Sequence, residues 1–197
     1  MRLVSSPLAE PLSLAEAKTH LRVEYDEEDS LIQGLIRAAR EYCENFQRRA
    51  YVSQVWELYL DRFPVQIETS RPPLLSVEAI LYRDAEGMQH TLEQQAYIVD
   101  TAPEPGRILF KTAPTVALFP ASPVTIRFVA GYAPVTTPTD DGGEHIDYVA
   151  RVPDAVKQAM RLLIGHWYEN REAVTIGQTP TTVPFAVEAL LWQDRVF

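Results

Sequence analysis

The sequence predicts an α+β fold in which helices from the N- and C-terminal parts of the chain pack together around an inserted, small antiparallel β lobe. Three observations carry that prediction. Apolar residues recur at helical spacing before residue 50 and again after residue 153, and the stretch between changes to a period of two. Turn-forming residues also punctuate that middle stretch at short intervals. The chain therefore divides into a helical part over 1–50, a β lobe over 51–135, a flexible loop over 136–152, and helices with a docking tail over 153–197, all within a single overall domain. At 197 residues it is long enough to bury a core without disulfide or metal staples.

Ser13 and Glu16 have capping-box spacing, which starts a first helix running from about Leu14 to Arg22. The acidic run Asp26-Glu27-Glu28-Asp29 suits the positive end of a second, longer helix. On that helix Leu31, Leu35, Ala39, Tyr42 and Phe46, flanked by Ile32, Ile36 and Cys43, form a wide apolar stripe. Arg37/Glu41, Arg40/Glu44 and Glu44/Arg48 read as i,i+4 pairs off the stripe.

Alternation around Trp56-Glu57-Leu58, Val77-Glu78-Ala79 and Val124-Thr125-Ile126 then marks strands. Asp84-Ala85-Glu86-Gly87 closes a hairpin whose return strand lies near Met88 to Leu92, with shorter strands at Tyr97–Asp100 and Arg107–Phe110. Pro, Thr, Asp and Gly dominate Ala133 to Val149, which reads as an exposed loop. Helix resumes at Pro153, with Val156, Ala159, Met160, Leu163 and Trp167 inward. A second loose segment, Thr175 to Pro184, precedes a short helix from about Phe185 to Trp192.

Composition excludes several functions. Lys and Arg total 18 against 27 Asp and Glu, a formal net charge of −9, and no basic cluster exists to neutralise phosphates. The single cysteine, Cys43, excludes an internal disulfide and a Cys-rich zinc site, and it suits a reducing cytoplasm. No apolar run reaches the roughly 20 residues that cross a bilayer, and the first residues lack the apolar stretch of a signal peptide.

The chain also lacks a Walker loop, a Gly-x-Ser-x-Gly elbow, a Cys-x-x-Cys pair and a His-x-x-x-His pair. His20, His90, His145 and His166 fall on different elements without ligand spacing, and Cys43 sits on an apolar stripe. Asp140-Asp141-Gly142-Gly143-Glu144-His145 with Asp147 offers hard ligands on a loop but lacks the alternation of a calcium-binding loop. A solvated acidic loop is the simpler reading. No catalytic, cofactor or metal residues are assigned. Large apolar groups gather at the C-terminal end instead. Leu190-Leu191-Trp192 is too short for a free helix, so this end docks, on its own subunit or on another.

Taken in order, these stretches resemble a family. They are Pro11-Leu12-Ser13-Leu14-Ala15-Glu16-Ala17-Lys18 with His20-Leu21-Arg22-Val23, Asp26 to Ile32, Ala38 to Glu44, and Trp56-Glu57-Leu58-Tyr59-Leu60-Asp61-Arg62-Phe63-Pro64. Pro73 to Ile80, Gly131-Tyr132, Val152 to Ala159 and Val183 to Leu191 complete the set, which spans nearly the whole chain. The family is the head–tail connector (adaptor, or head-completion) proteins of long-tailed double-stranded DNA phages, prophages and gene transfer agents.

The resemblance implies a non-enzymatic ring of about twelve subunits, made in the bacterial cytoplasm and placed in the virion neck. Such a ring docks beneath the portal protein, extends the DNA channel without specific DNA binding, and meets a tail-proximal neck protein. It implies no cofactor and no membrane. Phe185, Leu190, Leu191, Trp192 and Phe197 are then the expected contacts with the portal or a neighbouring subunit. Two alternatives stand beside it: a metal-dependent enzyme or regulator using the 140–147 loop, and a cytoplasmic module binding peptides by strand addition.

Overall fold

The computed structural model describes residues 1–140, 143–171 and 185–196. A short strand, β1 (Arg2–Ser5), precedes helix α1 (Leu14–Leu21). The Ser13 hydroxyl accepts from the Glu16 N–H at 3.2 Å while the Glu16 carboxylate accepts from the Ser13 N–H at 2.9 Å, so two otherwise free donors are satisfied reciprocally. Arg22, in the left-handed region at φ 58°, ends the helix.

Helix α2 (Asp29–Gln47) begins at the last residue of the acidic run rather than the first. Asp26, ahead of the helix, and Asp29, its first residue, share one partner. Lys18 donates to Asp26 at 2.6 Å and to Asp29 at 2.7 Å, tying the end of α1 to the start of α2.

The α2 stripe is centred slightly differently from the sequence pattern. Ile32, Ile36, Ala39 and Cys43 are fully buried, whereas Leu31 is exposed and Leu35, Tyr42 and Phe46 are half-buried. The flanking residues of the pattern form the middle of the face. One edge of that face meets the β lobe, and there Arg40, Glu44 and Gln47 are buried as well.

Strands β2 (Gln54–Leu60), β3 (Gln66–Glu68), β4 (Leu74–Arg83), β5 (Gln89–Thr91), β6 (Tyr97–Asp100), β7 (Arg107–Phe110) and β8 (Val124–Ala130) build the lobe. A five-stranded sheet runs β1-β2-β8-β4-β5 and a three-stranded sheet runs β3-β7-β6, all pairs antiparallel. Trp56 lies opposite Phe128, Leu58 opposite Ile126 and Leu60 opposite Val124. This register puts one apolar face of the larger sheet against Tyr97 and Ile108 of the smaller one.

Gly131, at φ 126°, returns the chain to the helices. A Cβ there would lie 2.4 Å from the Val52 carbonyl oxygen, so no other residue fits.

The segment read as a loop over 136–152 carries a hairpin, β9 (Val135–Pro138) with β10 (Glu144–Asp147). Val135, Thr136, Thr137 and Ile146 supply β-branched side chains, and the Thr139 N–H donates to the Gly143 carbonyl at 3.0 Å. Helix α3 (Asp154–Glu169) follows, capped by Pro153. It buries Val156, Ala159, Met160, Leu163 and Ile164, with Trp167 half-buried at the edge. Helix α4 (Phe185–Leu191) packs on α3 and α2 and runs into a 3₁₀ turn, Trp192–Asp194. Helices from both parts of the chain thus share one core, as the fold class requires. Among the described residues no helix is long and apolar enough to cross a membrane.

Candidate assembly interface

The α4 segment is fastened from below and open above. Val187 and Leu191 are fully buried in the helical core. Gln47 Nε2 donates to the Leu191 carbonyl at 2.7 Å, and the buried Tyr51 hydroxyl donates to Gln47 Oε1 at 2.5 Å, so one amide bridges α4 to the start of the β lobe. Beyond the 3₁₀ turn, the Val196 N–H donates to the Gln47 carbonyl at 3.0 Å. Arg49 donates to the Asp194 carbonyl at 2.6 Å and pairs with Glu104 at 2.5 Å.

Outward from this anchorage stand Phe185, 83% exposed, and Trp192, 50% exposed. Trp192 meets Phe46 edge-on at 5.9 Å, and the Arg195 guanidinium lies 4.9 Å from the Phe46 ring centre and 4.8 Å from that of Trp192. Phe46 stacks on Tyr42, which meets Trp167 edge-on at 6.1 Å. The result is a continuous aromatic ridge from α3 across α2 to the 3₁₀ turn. Such amphipathic rings suit a protein–protein contact.

The five residues expected to contact a partner therefore separate. Phe185 and Trp192 are on the surface, and Leu190 is half-buried against the helical core. Leu191 requires a correction: it is inside its own subunit, because helical spacing turns it away from Phe185 and onto α2 and α3. Phe197 lies outside the described residues, as does the segment from Thr175 to Pro184.

Two carboxylates that sequence reading passed over organise the rest. Glu44, read as a surface pair partner, is buried. Its Oε2 accepts from Arg40 at 2.9 Å, and its Oε1 accepts from the Tyr51 N–H at 2.9 Å and from Gln54 Nε2 at 2.5 Å. Burial pushes its pKa up against those hydrogen bonds. Burial also works against the Arg40 charge, but Glu10 and Glu44 outweigh it and hold that pKa up. A cleft of about 180 Å³ opens beside this network, between α2 and the β1–β2 edge, with Trp56 and Arg71 on its wall.

Glu57 sits on the outer face of the larger sheet, gripped by Tyr59, Arg127 and Arg2 at 2.5, 2.5 and 2.9 Å. The Tyr59 hydroxyl first, and Arg127 next, pull its pKa down to about 2. Only the spacing of Glu57 and Tyr59 on one strand face is visible in sequence. Their cross-strand partners come from elsewhere in the chain.

A third cluster pins the end of α3 to the start of α2. Tyr168 and Tyr25 donate to Glu28, Arg171 pairs with it at 2.7 Å, and these bonds, led by that from Tyr168, hold the carboxyl below its usual range.

None of these groups is arranged for chemistry. Burial pushes the Cys43 thiol up to about 12, far from a reactive thiolate. In the acidic hairpin, alternation sends Glu144 and His145 to opposite faces, and Asp147 accepts from the Val149 N–H at 2.8 Å. Asp141 and Gly142 lie outside the described residues. Among the described residues no three acidic, imidazole or thiol groups come close enough to hold a metal ion.

Residues 11–105 match the family model of phage gp6-like head-tail connector proteins. No curated protein matches the chain. Among solved structures, a chain from the neck of an empty gene transfer agent (GTA) particle computed with C6 symmetry superposes at a TM-score of 0.72 with 23% identity, covering 100% of this chain and 96% of that one. A chain from the virion of a native GTA particle gives a TM-score of 0.73 at 22% identity and the same coverage. One from the neck of a native GTA particle computed with C12 symmetry gives 0.67 at 21%, again covering 100% and 96%. The likeness shows that the whole fold, sheets and helices together, is shared.

Proposed function

We infer, from the match of residues 11–105 to the family model of phage gp6-like head-tail connector proteins, that the chain is a structural connector subunit of a virion neck, joining capsid to tail. The observation that carries the reading is the match to this family, joined by a fold shared over the full chain with proteins of GTA necks. A connector holds position and needs no reaction, which agrees with side chains committed to packing, caps and ion pairs.

The finer reading is a ring, docked beneath the portal protein on one side and meeting a tail-proximal protein on the other. The C6 and C12 symmetries of the similar neck structures support a ring, and twelve copies satisfy both. Heterologous contacts between identical subunits close such a ring. A formal charge of −9 per copy, repeated around it, repels the phosphate backbone and lets DNA pass without sticking. Phe185, Leu190 and Trp192 are the proposed contacts with the portal or a neighbour, supported by the exposure of Phe185 and Trp192 and by the aromatic ridge behind Trp192.

Negative-stain electron microscopy of the protein mixed with the portal protein from the same genome tests this. Extra ring density capping the portal is the expected result, and portals that stay bare at high protein concentration count against it. The Phe185→Ala/Trp192→Ala double variant keeps the wild-type melting temperature within a few degrees and loses the cap. A double variant that still caps portals normally removes these side chains from the interface.

A further inference from the structure

The hairpin β9–β10 is a two-stranded sheet that, among the described residues, pairs with no other strand of its own chain. An isolated hairpin is marginal in water. Strand β1 is the edge of the five-stranded sheet: one side pairs with β2 and, among the described residues, the other is open. An open edge offers a row of backbone donors and acceptors to any strand that fits it.

These two features match. Each of β1 and β10 is four residues long and free of proline, whereas β9 ends in Pro138, which has no N–H to donate. Both carry exposed apolar side chains, Leu3 and Val4 at 38% and 42% and Ile146 at 42%. Their charges are opposite, with Arg2, which also pairs with Glu57, on β1 and Glu144 and Asp147 on β10.

We propose that β10 of one subunit adds antiparallel to the open edge of β1 in the next, extending that subunit's five-stranded sheet. With Arg2 opposite Asp147, Leu3 falls opposite Ile146, Val4 opposite His145 and Ser5 opposite Glu144. One ionic and one apolar cross-strand pair result, both of favourable kinds. The other sheet edge, β5, fits less well. It is three residues long and without an apolar side chain. Because β1 and β10 are different surfaces, every copy gives one and receives the other, the heterologous contact that closes a ring. The pairing rests on the ring reading above.

The test uses particles carrying Leu3→Cys/Ile146→Cys. The native Cys43 is fully buried and does not compete. Facing residues of an antiparallel pair lie about 4.5–5.5 Å apart, within disulfide reach. Mild oxidation of assembled particles yields a ladder of covalent multimers, and either single variant yields none.

A charge swap gives an independent readout. Leu3→Lys alone and Ile146→Glu alone each lower the copies per particle about tenfold, by the loss of roughly 1.4 kcal/mol, and the double variant restores them. Single variants at wild-type copy number with no ladder from the cysteine pair overturn the pairing and leave the connector reading intact. Wild-type protein missing from particles overturns both.

Discussion

The α4 segment and the β9–β10 hairpin look alike in the sequence, since each follows or contains a loose, turn-rich stretch and each carries exposed apolar groups. In the folded chain they are opposites. The α4 segment sends Val187 and Leu191 into the helical core and is tied down by Gln47 and Arg49. Among the described residues the hairpin pairs only with itself. An exposed apolar side chain therefore has two meanings here. On α4 it is the outer face of an element whose inner face holds the subunit together. On the hairpin it belongs to an element with little of its own chain to hold it.

Removing everything after Pro184 is the strongest way to break this contrast. The cut uncovers the core where Val187 and Leu191 sit and leaves the buried Gln47 amide without its acceptor. Leu191→Ala alone costs about 2–5 kcal/mol, and the truncation costs more, so thermal melts of the truncated chain show early, broad unfolding. A sharp wild-type melt would mean that α4 is a dispensable tail, as a docking segment read from sequence alone would be.

Gln47→Leu sharpens the same point at a smaller scale. It strands the Leu191 carbonyl and the Tyr51 hydroxyl in the core, for a loss of about 1–3 kcal/mol in urea unfolding with the denaturant slope unchanged.

Glu57 tests the fastening of the edge that the hairpin is proposed to meet. Glu57→Gln weakens the bonds from Arg2, Tyr59 and Arg127 and costs about 1–2 kcal/mol. The pH dependence has a definite sign. The folded pKa of about 2 is below the ordinary value of 4.5, so this stabilisation is complete above pH 4.5 and is lost as pH falls toward 2. Acid titration of wild type against Glu57→Gln shows the difference shrinking across that window. A gap that stays constant would detach Glu57 from the stability of the sheet.

The smallest effect belongs to the hairpin. Ile146→Ser on its exposed strand changes stability by less than about 0.5 kcal/mol, read as an unchanged melting temperature, while lowering incorporation into particles. A clear loss of stability would show that the hairpin is held by its own chain after all.

Much of this was legible before any coordinates. The capping box at Ser13, the helical repeat from Ile32 to Phe46, and the alternation around Trp56, Val77 and Val124 are local patterns, and each produced the element it implied. The hairpin at 135–147 was hidden because four-residue strands are too short for alternation to stand out from a turn-rich background. The strand Arg2–Ser5 was hidden for the same reason, and it forms by pairing with β2, whose residues lie 50 to 55 positions from their partners. Arg40 and Glu44 have surface-pair spacing, and nothing local announces that Gln54 and the Tyr51 N–H will close over them.

Periodicity, caps and turn residues determine which segments are helix or strand and which face of each is apolar, because those choices depend on neighbours within a few residues. The sequence shows, just as directly, a net charge of −9 and no basic cluster that would neutralise phosphates. Tertiary structure alone decided that Leu191 is core while Phe185 and Trp192 are surface. It also decided that Glu44 is buried and Glu57 strongly acidic, and that, among the described residues, one edge strand keeps an open side and one hairpin pairs only with itself. Each of these depends on which distant element arrives to cover a side chain, and burial is a property of the packed whole.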